Sequence, residues 1–229
     1  MLAATAGVTS VSVAGDTVNA LPVMVPSSKS VFGEAHYSFT LAPTLGFDHA
    51  EATGAALPAN YELAAWAPDA LLGPAWPAIY AALGSAIHND YPVIEGLLNA
   101  VHLDHSITLE YTPEQMLERG ITTIDVTSHV AAVDESSSGR IVTVALDLNA
   151  NGEHVGSTQE RFAIRGRATG NRAPSEAAPF GGAKVEVVDT PRSVLRRVSV
   201  KAPDDMTPFA IVSGDYNPIH TSYAAAKVA

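Results

Sequence analysis

The chain has 229 residues, 47% of them apolar, and a formal net charge of −11 at pH 7. This size and composition predict one or two globular domains, and the negative charge disfavours a nucleic-acid partner. The sequence contains no cysteine, which excludes disulfides, thiolate catalysis and cysteine-ligated metals and fits a reducing, cytoplasmic compartment.

Residues 1–60 are rich in Ala, Gly, Ser and Thr, and we interpret them as a linker or interdomain arm. Apolar fragments at residues 21–26 and 36–40, bounded by turn-forming residues, indicate short strands or extended connectors. The start of the chain lacks the basic residues and long apolar run of a signal peptide. No run of about eighteen apolar residues follows, so we expect no membrane span.

A helix is predicted beyond Asp69. Pro74 stands near its start, and Asn89-Asp90-Tyr91-Pro92 ends it. Between these signals, apolar residues recur at helical spacing, which indicates a face packed on the core: Trp76, Ile79, Tyr80, Leu83 and Ile87.

Four strands are predicted after this helix, at residues 97–111, 121–133, 140–148 and 155–165, because these segments are β-branched and partly alternating. Thr112, Pro113 and Gln115 form a capping box for a short helix that Gly120 ends. The short connections favour an antiparallel meander. A helix lying across such a sheet makes an α+β layer, which we place at residues 61–168.

Residues 169–192 are rich in Gly, Pro, Ala and Arg and read as a linker. Beyond it we predict a strand at residues 196–200, a short helix at residues 207–212 ended by Gly214, and a last helix capped by Thr221. These elements would belong to a second unit at residues 193–229.

The most chemically specific stretch is Ser-Gly-Asp-Tyr-Asn-Pro-Ile-His at residues 213–220. Asp215 and His220 lie five residues apart, and Gly214 and Pro218 are expected to hold the segment out of regular structure, so that both side chains point into one cavity. The pair is then suited to acid/base chemistry. A surface turn in which Asp215 and Asn217 only cap backbone groups is the alternative.

This stretch resembles the Asp-x-Asn-Pro-x-His signature of the MaoC-like, (R)-specific enoyl hydratases and 3-hydroxyacyl dehydratases of the hot-dog fold. Residues 201–221 look most like the dehydratase region of the type I fatty acid synthases of actinobacteria. The segment from Val101 to His105 and the strands after it resemble the first half of double hot-dog hydratases. The resemblance implies a complete non-catalytic hot-dog unit at residues 61–168 and the truncated start of a catalytic unit at residues 193–229.

The resemblance also implies a reaction: elimination of water from (R)-3-hydroxyacyl thioesters to give trans-2-enoyl thioesters, by the 3-hydroxyacyl-[acyl-carrier-protein] dehydratase of a multifunctional synthase. Asp215 and His220 would be catalytic, with His220 preferred as the base for the α-proton. Asn217 and Gly214 would orient the substrate. The thioester carbonyl also needs a donor, which the family takes from a downstream element that this sequence lacks, so the isolated chain is expected to be inactive.

The implied partners are an acyl carrier protein, whose phosphopantetheine carries the acyl thioester, and other domains of the same synthase in a homo-oligomeric assembly. No cofactor is implied for this domain. One alternative is a free-standing (R)-specific enoyl-CoA hydratase, and another is a structural hot-dog segment without activity of its own.

Two further patterns resemble metal sites, and we assign neither to a metal. His102 and His105, with Asp104 between them, are three positions apart, which on a regular strand places the two imidazoles on opposite faces. Residues 147–152 resemble the start of a calcium loop, but its twelfth position is Thr158 and strands flank it. We predict a hairpin turn there instead.

Arginines gather around the predicted linker in an otherwise acidic chain. They would suit the phosphate of phosphopantetheine or an acidic carrier protein, and scattered solvated charges are the alternative. These residues are Arg161, Arg165, Arg167, Arg172, Arg192, Arg196 and Arg197.

Overall fold

A computed structural model describes residues 23–25, 34–53, 67–97, 100–136, 139–165, 193–194, 197, 199, 204–215 and 217–227. Within these residues six strands form one antiparallel sheet in the spatial order β1-β2-β6-β7-β8-β5. The strands are β1 (Val23–Val25), β2 (Glu34–Thr40), β5 (Ala100–Leu109), β6 (Thr123–Ser136), β7 (Gly139–Ala150) and β8 (Glu153–Arg165).

The helices and a small hairpin connect and cover this sheet. The hairpin pairs β3 (Ile87–His88) with β4 (Tyr91–Pro92). A short 3-10 helix, Pro68–Leu71, precedes the longest helix. The α-helices are α1 (Leu45–Ala52), α2 (Leu72–Ser85), α3 (Pro113–Glu118), α4 (Thr207–Ser213), α5 (Pro218–Thr221) and α6 (Tyr223–Ala226).

Helix α2 lies against the sheet and forms the centre of the core. Its residues Ile79 and Leu83 are fully buried against the inner faces of β2, β6 and β7. A buried hydrogen bond ties helix to sheet, because the Ser128 hydroxyl on β6 donates to the Ala78 carbonyl oxygen at 2.8 Å. The predicted α+β layer, with a helix across an antiparallel meander, is therefore confirmed.

The local signals account for most element ends. Thr112 and Gln115 form the reciprocal capping box that opens α3, and Asn151-Gly152 turns β7 into β8 with φ of 52° and 81°.

The apolar stripe expected on α2 is wrong at Ile87. Ala86 is extended, and the chain turns at Asn89 into β4, which leaves Ile87 exposed.

The arm expected at residues 1–60 is wrong for residues 34–52. Strand β2 pairs with β6 along its whole length, and it alternates exposed and buried residues, with Ala35, Tyr37 and Phe39 inside. Period-two alternation of this kind is the signal of a half-buried strand. Residues 1–22, the predicted linker at 169–192, and most of the strand predicted at 196–200 lie outside the described residues.

Candidate active site

The segment that carries Asp215 docks tightly on the start of α2. Gly214 ends α4 in the left-handed conformation, with φ of 69°, as predicted for a helix terminator. A side chain there would meet the Gly73 carbonyl oxygen at 2.8 Å and the Trp76 Cβ at 2.9 Å, and a side chain at Gly73 would collide with the Val212 carbonyl. Gly214 therefore approaches helix α2, whereas its predicted role was to orient substrate.

Local hydrogen bonds shape the turn between Asp215 and His220. The Asp215 Oδ1 accepts the backbone N–H of Asn217 at 3.1 Å, and the Asn217 Oδ1 accepts that of Ile219 at 3.3 Å. Asn217 is thus the N-cap of α5, with Pro218 in its first turn. His220 consequently lies in a single helical turn, which corrects the expectation of a fully irregular segment.

Asp215 and His220 meet as an acid/base pair. The His220 Nε2 lies 3.4 Å from the Asp215 Oδ2. The side chains remain 48% and 26% exposed, respectively, so a substrate can reach both. A carboxylate that also caps the turn holds the imidazole beside it, an arrangement typical of paired proton-transfer groups.

The pair borders a cavity of about 280 Å³, and the opposite wall of that cavity is formed by helix α2 and the β5–β8 side of the sheet. Most of that wall consists of apolar and aromatic side chains, with only a few polar groups among them, as in many small-molecule sites. The lining residues from the layer are Trp76, Tyr80, Leu97, Ala100, Val101, His102 and Phe162, and those from the last segment are Asp215, Asn217, Ile219 and His220.

Tyr80 supplies a neutral hydroxyl on the α2 side of this cavity. Burial raises the pKa of Tyr80, the Trp76 side chain opposes this shift, and the nearby Asp215 adds to the rise. The phenol therefore stays protonated through the physiological range. It is able to donate a hydrogen bond but is unsuited to act as a base.

The expectation that His102 and His105 point to opposite faces is wrong. Strand β5 has a bulge between His102 and Asp104. The one extra residue in the bulge brings His102 and His105, three positions apart, onto the same face of the sheet. The two imidazole rings therefore stack at a centroid distance of 5.8 Å on the same face. A bulge leaves no clear mark in the residue types, which is why strand periodicity alone missed it.

Glu160 is a site residue that sequence reasoning missed. It lies on β8 opposite His105, and its carboxylate, with 0% exposure, is 2.9 Å from the His102 Nε2. The carboxylate and the two imidazoles present donor atoms within 4.8 Å of one another. In the structure His102 and the Thr158 hydroxyl already engage the Glu160 carboxylate, and His105 pairs with Asp69, so these side chains have partners without a metal.

The arginines that were predicted to contact a phosphate or a carrier protein lie in different environments. Arg161 is engaged in a bidentate pair with Asp104, one arm of which is 2.6 Å long. Arg165 and Arg197 are exposed. Arg167, Arg172, Arg192 and Arg196 lie outside the described residues, so the predicted contacts stay a prediction.

None of the helices in the described part of the chain combines the length and apolar character that a membrane crossing requires.

Comparisons with known proteins bear on the last segment and on the fold. Residues 182–229, about a fifth of the chain, match the family model described as "MaoC like domain". A search of curated proteins gives no significant match.

Solved structures share the fold at low sequence identity. A MaoC-like dehydratase from Phytophthora capsici is 14% identical, with a TM-score of 0.55, over 85% of this chain and 66% of that one. HtdX of Mycobacterium tuberculosis is 18% identical, with a TM-score of 0.51, over 85% and 66%. The full-length peroxisomal multifunctional enzyme type 2 from Drosophila melanogaster is 17% identical, with a TM-score of 0.52, over 86% and 33%.

The matched region thus spans about two thirds of the first two proteins and a third of the last. Identities this low establish the architecture and leave the activity open. The described residues have the α+β hot-dog fold, and the segment that carries Asp215 and His220 matches the MaoC like domain.

Proposed function

We propose that this chain is part of a hydro-lyase that interconverts (R)-3-hydroxyacyl and trans-2-enoyl thioesters, and that it serves as a 3-hydroxyacyl-[acyl-carrier-protein] dehydratase region of a multifunctional fatty acid synthase. The observation that carries the proposal is the Asp215–His220 pair, 3.4 Å apart, at the border of a largely apolar cavity. The match of residues 182–229 to the MaoC like domain supports the reaction class.

In the proposed reaction the pair moves two protons on one face of the substrate. For this step Asp215 carries the proton of the pair and His220 is neutral: His220 takes the proton from C2, the C2=C3 double bond forms, and the hydroxyl on C3 leaves as water with the proton from Asp215. The proton gained by His220 returns to Asp215 across the 3.4 Å contact, which restores the pair. Hydration of an enoyl thioester is the reverse sequence.

The apolar part of the cavity would hold the acyl chain beside this pair. Trp76, Tyr80 and Phe162 present rings there, and they pack edge-on around Trp76, so the wall is rigid. A rigid apolar wall positions C2 and C3 without competing for their protons. The synthase context rests on the resemblance of residues 201–221, and carrier-protein delivery follows from that context.

The test measures hydration of a crotonyl thioester by the synthase polypeptide that this proposal implies. We expect Asp215→Asn and His220→Gln each to lower kcat at least about 100-fold, because each removes one proton-transfer group. Asp147→Asn and His154→Gln are matched controls, since both residues are exposed near the β7–β8 turn and outside the cavity. Unchanged activity in the Asp215 and His220 variants would instead support a structural segment.

The carrier is tested separately. We expect turnover of a substrate on acyl carrier protein to exceed that of the same acyl group on CoA. The opposite preference would favour the alternative of a free-standing (R)-specific enoyl-CoA hydratase.

A further inference from the structure

A second polar group faces the same cavity from the hot-dog layer. His102, on β5, lines the cavity that Asp215 and His220 border. The cavity has a volume of about 280 Å³, and His102, Asp215 and His220 all line it. The carbonyl carbon and the hydroxyl-bearing carbon of a 3-hydroxyacyl thioester are only two bonds apart, and groups acting on both must share such a space.

The His102 ring is held by a buried carboxylate. The Glu160 Oε2 lies 2.9 Å from the His102 Nε2, and the Thr158 hydroxyl donates to the Glu160 Oε1 at 2.5 Å. An ionised carboxylate with no exposure is strongly disfavoured unless it is paired. Burial therefore favours a pair with no net charge, in which one proton lies between the Glu160 Oε2 and the His102 Nε2 and the other ring nitrogen, Nδ1, carries an N–H for a ligand.

Aromatic contacts fix the orientation of this ring on three sides. His102 stacks on Phe162 at a centroid distance of 5.1 Å and on His105 at 5.8 Å. Trp76 meets it edge-on at 5.7 Å. A donor that is already oriented needs no reorganisation when charge develops on a substrate, which is the condition for effective electrostatic catalysis.

We propose that His102 donates a hydrogen bond to the carbonyl oxygen of the acyl thioester, with Glu160 as the positioning residue that holds the ring. Removal of the C2 proton by His220 shifts negative charge onto that oxygen, and the His102 N–H stabilises it there. No bond to His102 forms or breaks. The inference rests on the proposed function, and it assigns to this chain a carbonyl donor that the sequence led us to expect elsewhere.

The test compares His102→Gln with His102→Leu in the synthase polypeptide, with crotonyl thioester as substrate. The Gln amide takes the place of Nε2 and keeps a donor to Glu160, but it removes the ring nitrogen that remains for a ligand. We expect both variants to lose about 100-fold to 1,000-fold in kcat with little change in KM. Wild-type kcat for His102→Gln would overturn the proposal, because it would show that His102 only neutralises Glu160.

Three further variants separate the explanations. His154→Gln is the matched control, since His154 is exposed near the β7–β8 turn and does not line the cavity; we expect wild-type kcat. Glu160→Gln keeps a hydrogen-bonding partner without the charge and is expected to lower kcat with KM unchanged. His220→Gln tests the proposed function itself. Full activity of this variant would count against that function, independently of the result for the His102 variants.

A zinc titration of the wild-type chain by calorimetry tests the rival use of the same side chains. We expect no saturable binding. Saturable binding that is lost in both His102→Gln and His105→Gln would overturn the proposal, because it would assign the ring nitrogens to a metal. Thermal unfolding of each variant verifies that the compared proteins are folded.

Discussion

At the scale of single residues, two glycines fix the position of the segment that carries Asp215 and His220, because they let two backbones pack in direct contact. Gly73 on α2 faces the Val212 carbonyl, and Gly214 faces the Gly73 carbonyl. Sequence reasoning found Gly214 as a helix terminator, but it gave no reason to single out Gly73. The contact joins residues far apart in the chain, and no local pattern reports it.

We expect Gly214→Ala to destabilise the protein more than Gly120→Ala. Both glycines have positive φ, 69° and 73°, so both alanines suffer a similar backbone cost of about 1–2 kcal/mol. Only at Gly214 does the new Cβ meet other atoms, at 2.8 and 2.9 Å, whereas nothing lies within 4 Å at Gly120. The crowding should add about 1–3 kcal/mol.

Urea unfolding of the two variants measures the difference. Equal losses would mean that the segment does not dock on α2 as described. The same variants should differ in hydration activity, since only Gly214 sets the position of Asp215 and His220 relative to the cavity wall.

A surface ion pair predicts a pH dependence of stability. The hydrogen bond from Arg161 lowers the pKa of Asp104 most strongly, burial opposes this shift, and the positive charges of Arg161, His102 and His105 add to the lowering. A carboxyl whose pKa is lower in the folded state stabilises the fold above its unfolded pKa, and this stabilisation is lost as the pH falls through the folded pKa.

We therefore expect Arg161→Gln to cost at most about 1 kcal/mol at pH 7, because the two side chains are 28% and 40% exposed and solvent screens the pair. The difference from wild type should shrink as the pH falls below about 4, the ordinary value for a carboxyl, and vanish only below the lowered folded pKa of Asp104. Denaturant unfolding at several pH values measures it. A cost that is independent of pH would show that the guanidinium acts through packing alone.

At the scale of elements, the bulge in β5 determines which side chains face the cavity. His102 pairs with Phe162 and Asp104 with Arg161, so Leu103 is the extra residue. Beyond the bulge, the alternation again places His105 on the inner face, opposite the buried Glu160. The two imidazoles, three positions apart, thus behave as residues two positions apart.

Deleting Leu103 should be tolerated better than deleting Ser106. The first deletion turns the bulge into a regular strand and keeps every later residue on its face. The second removes one residue from the regular part and moves the residues on one side of it to the opposite face. We expect a loss within about 2 kcal/mol for the first and more than about 4 kcal/mol, or failure to fold, for the second.

Thermal melting of the two deletion proteins compares them directly. Equal destabilisation would contradict the assignment of Leu103 as the bulged residue.

The elements that the sequence predicted best are those with strong local signals. Helix α2, strands β5 to β8 and the capping box at Thr112 all follow from periodicity or from end signals. For strand β2 the sequence left a short strand and an extended connector open, because its short alternating run lies in a segment rich in small residues. Glu160 was missed because its partner His102 is 58 positions away. A glutamate within a strand normally faces solvent, and the burial of Glu160 is visible only in the folded sheet.

At the scale of the whole molecule, the candidate site is shared between two parts of the chain. The hot-dog layer supplies the apolar wall and the His102–Glu160 pair, and the last described segment supplies Asp215 and His220. The sequence predicted from the motif that Asp215 and His220 point into one cavity, and both line it. It did not show which side chains form the wall opposite the pair, because they come together only when β5, β8 and α2 pack.

The most direct test of the central claim is a double-mutant cycle on Asp215 and His220, measured as kcat for crotonyl-thioester hydration by the synthase polypeptide. Two groups that exchange a proton act as a unit, so removing the second after the first should cost little more. We expect Asp215→Asn, His220→Gln and the double variant to lose about the same activity, at least about 100-fold each. Losses that multiply in the double variant, or single variants with wild-type kcat, would contradict the assignment of the pair as the acid and base of this cavity.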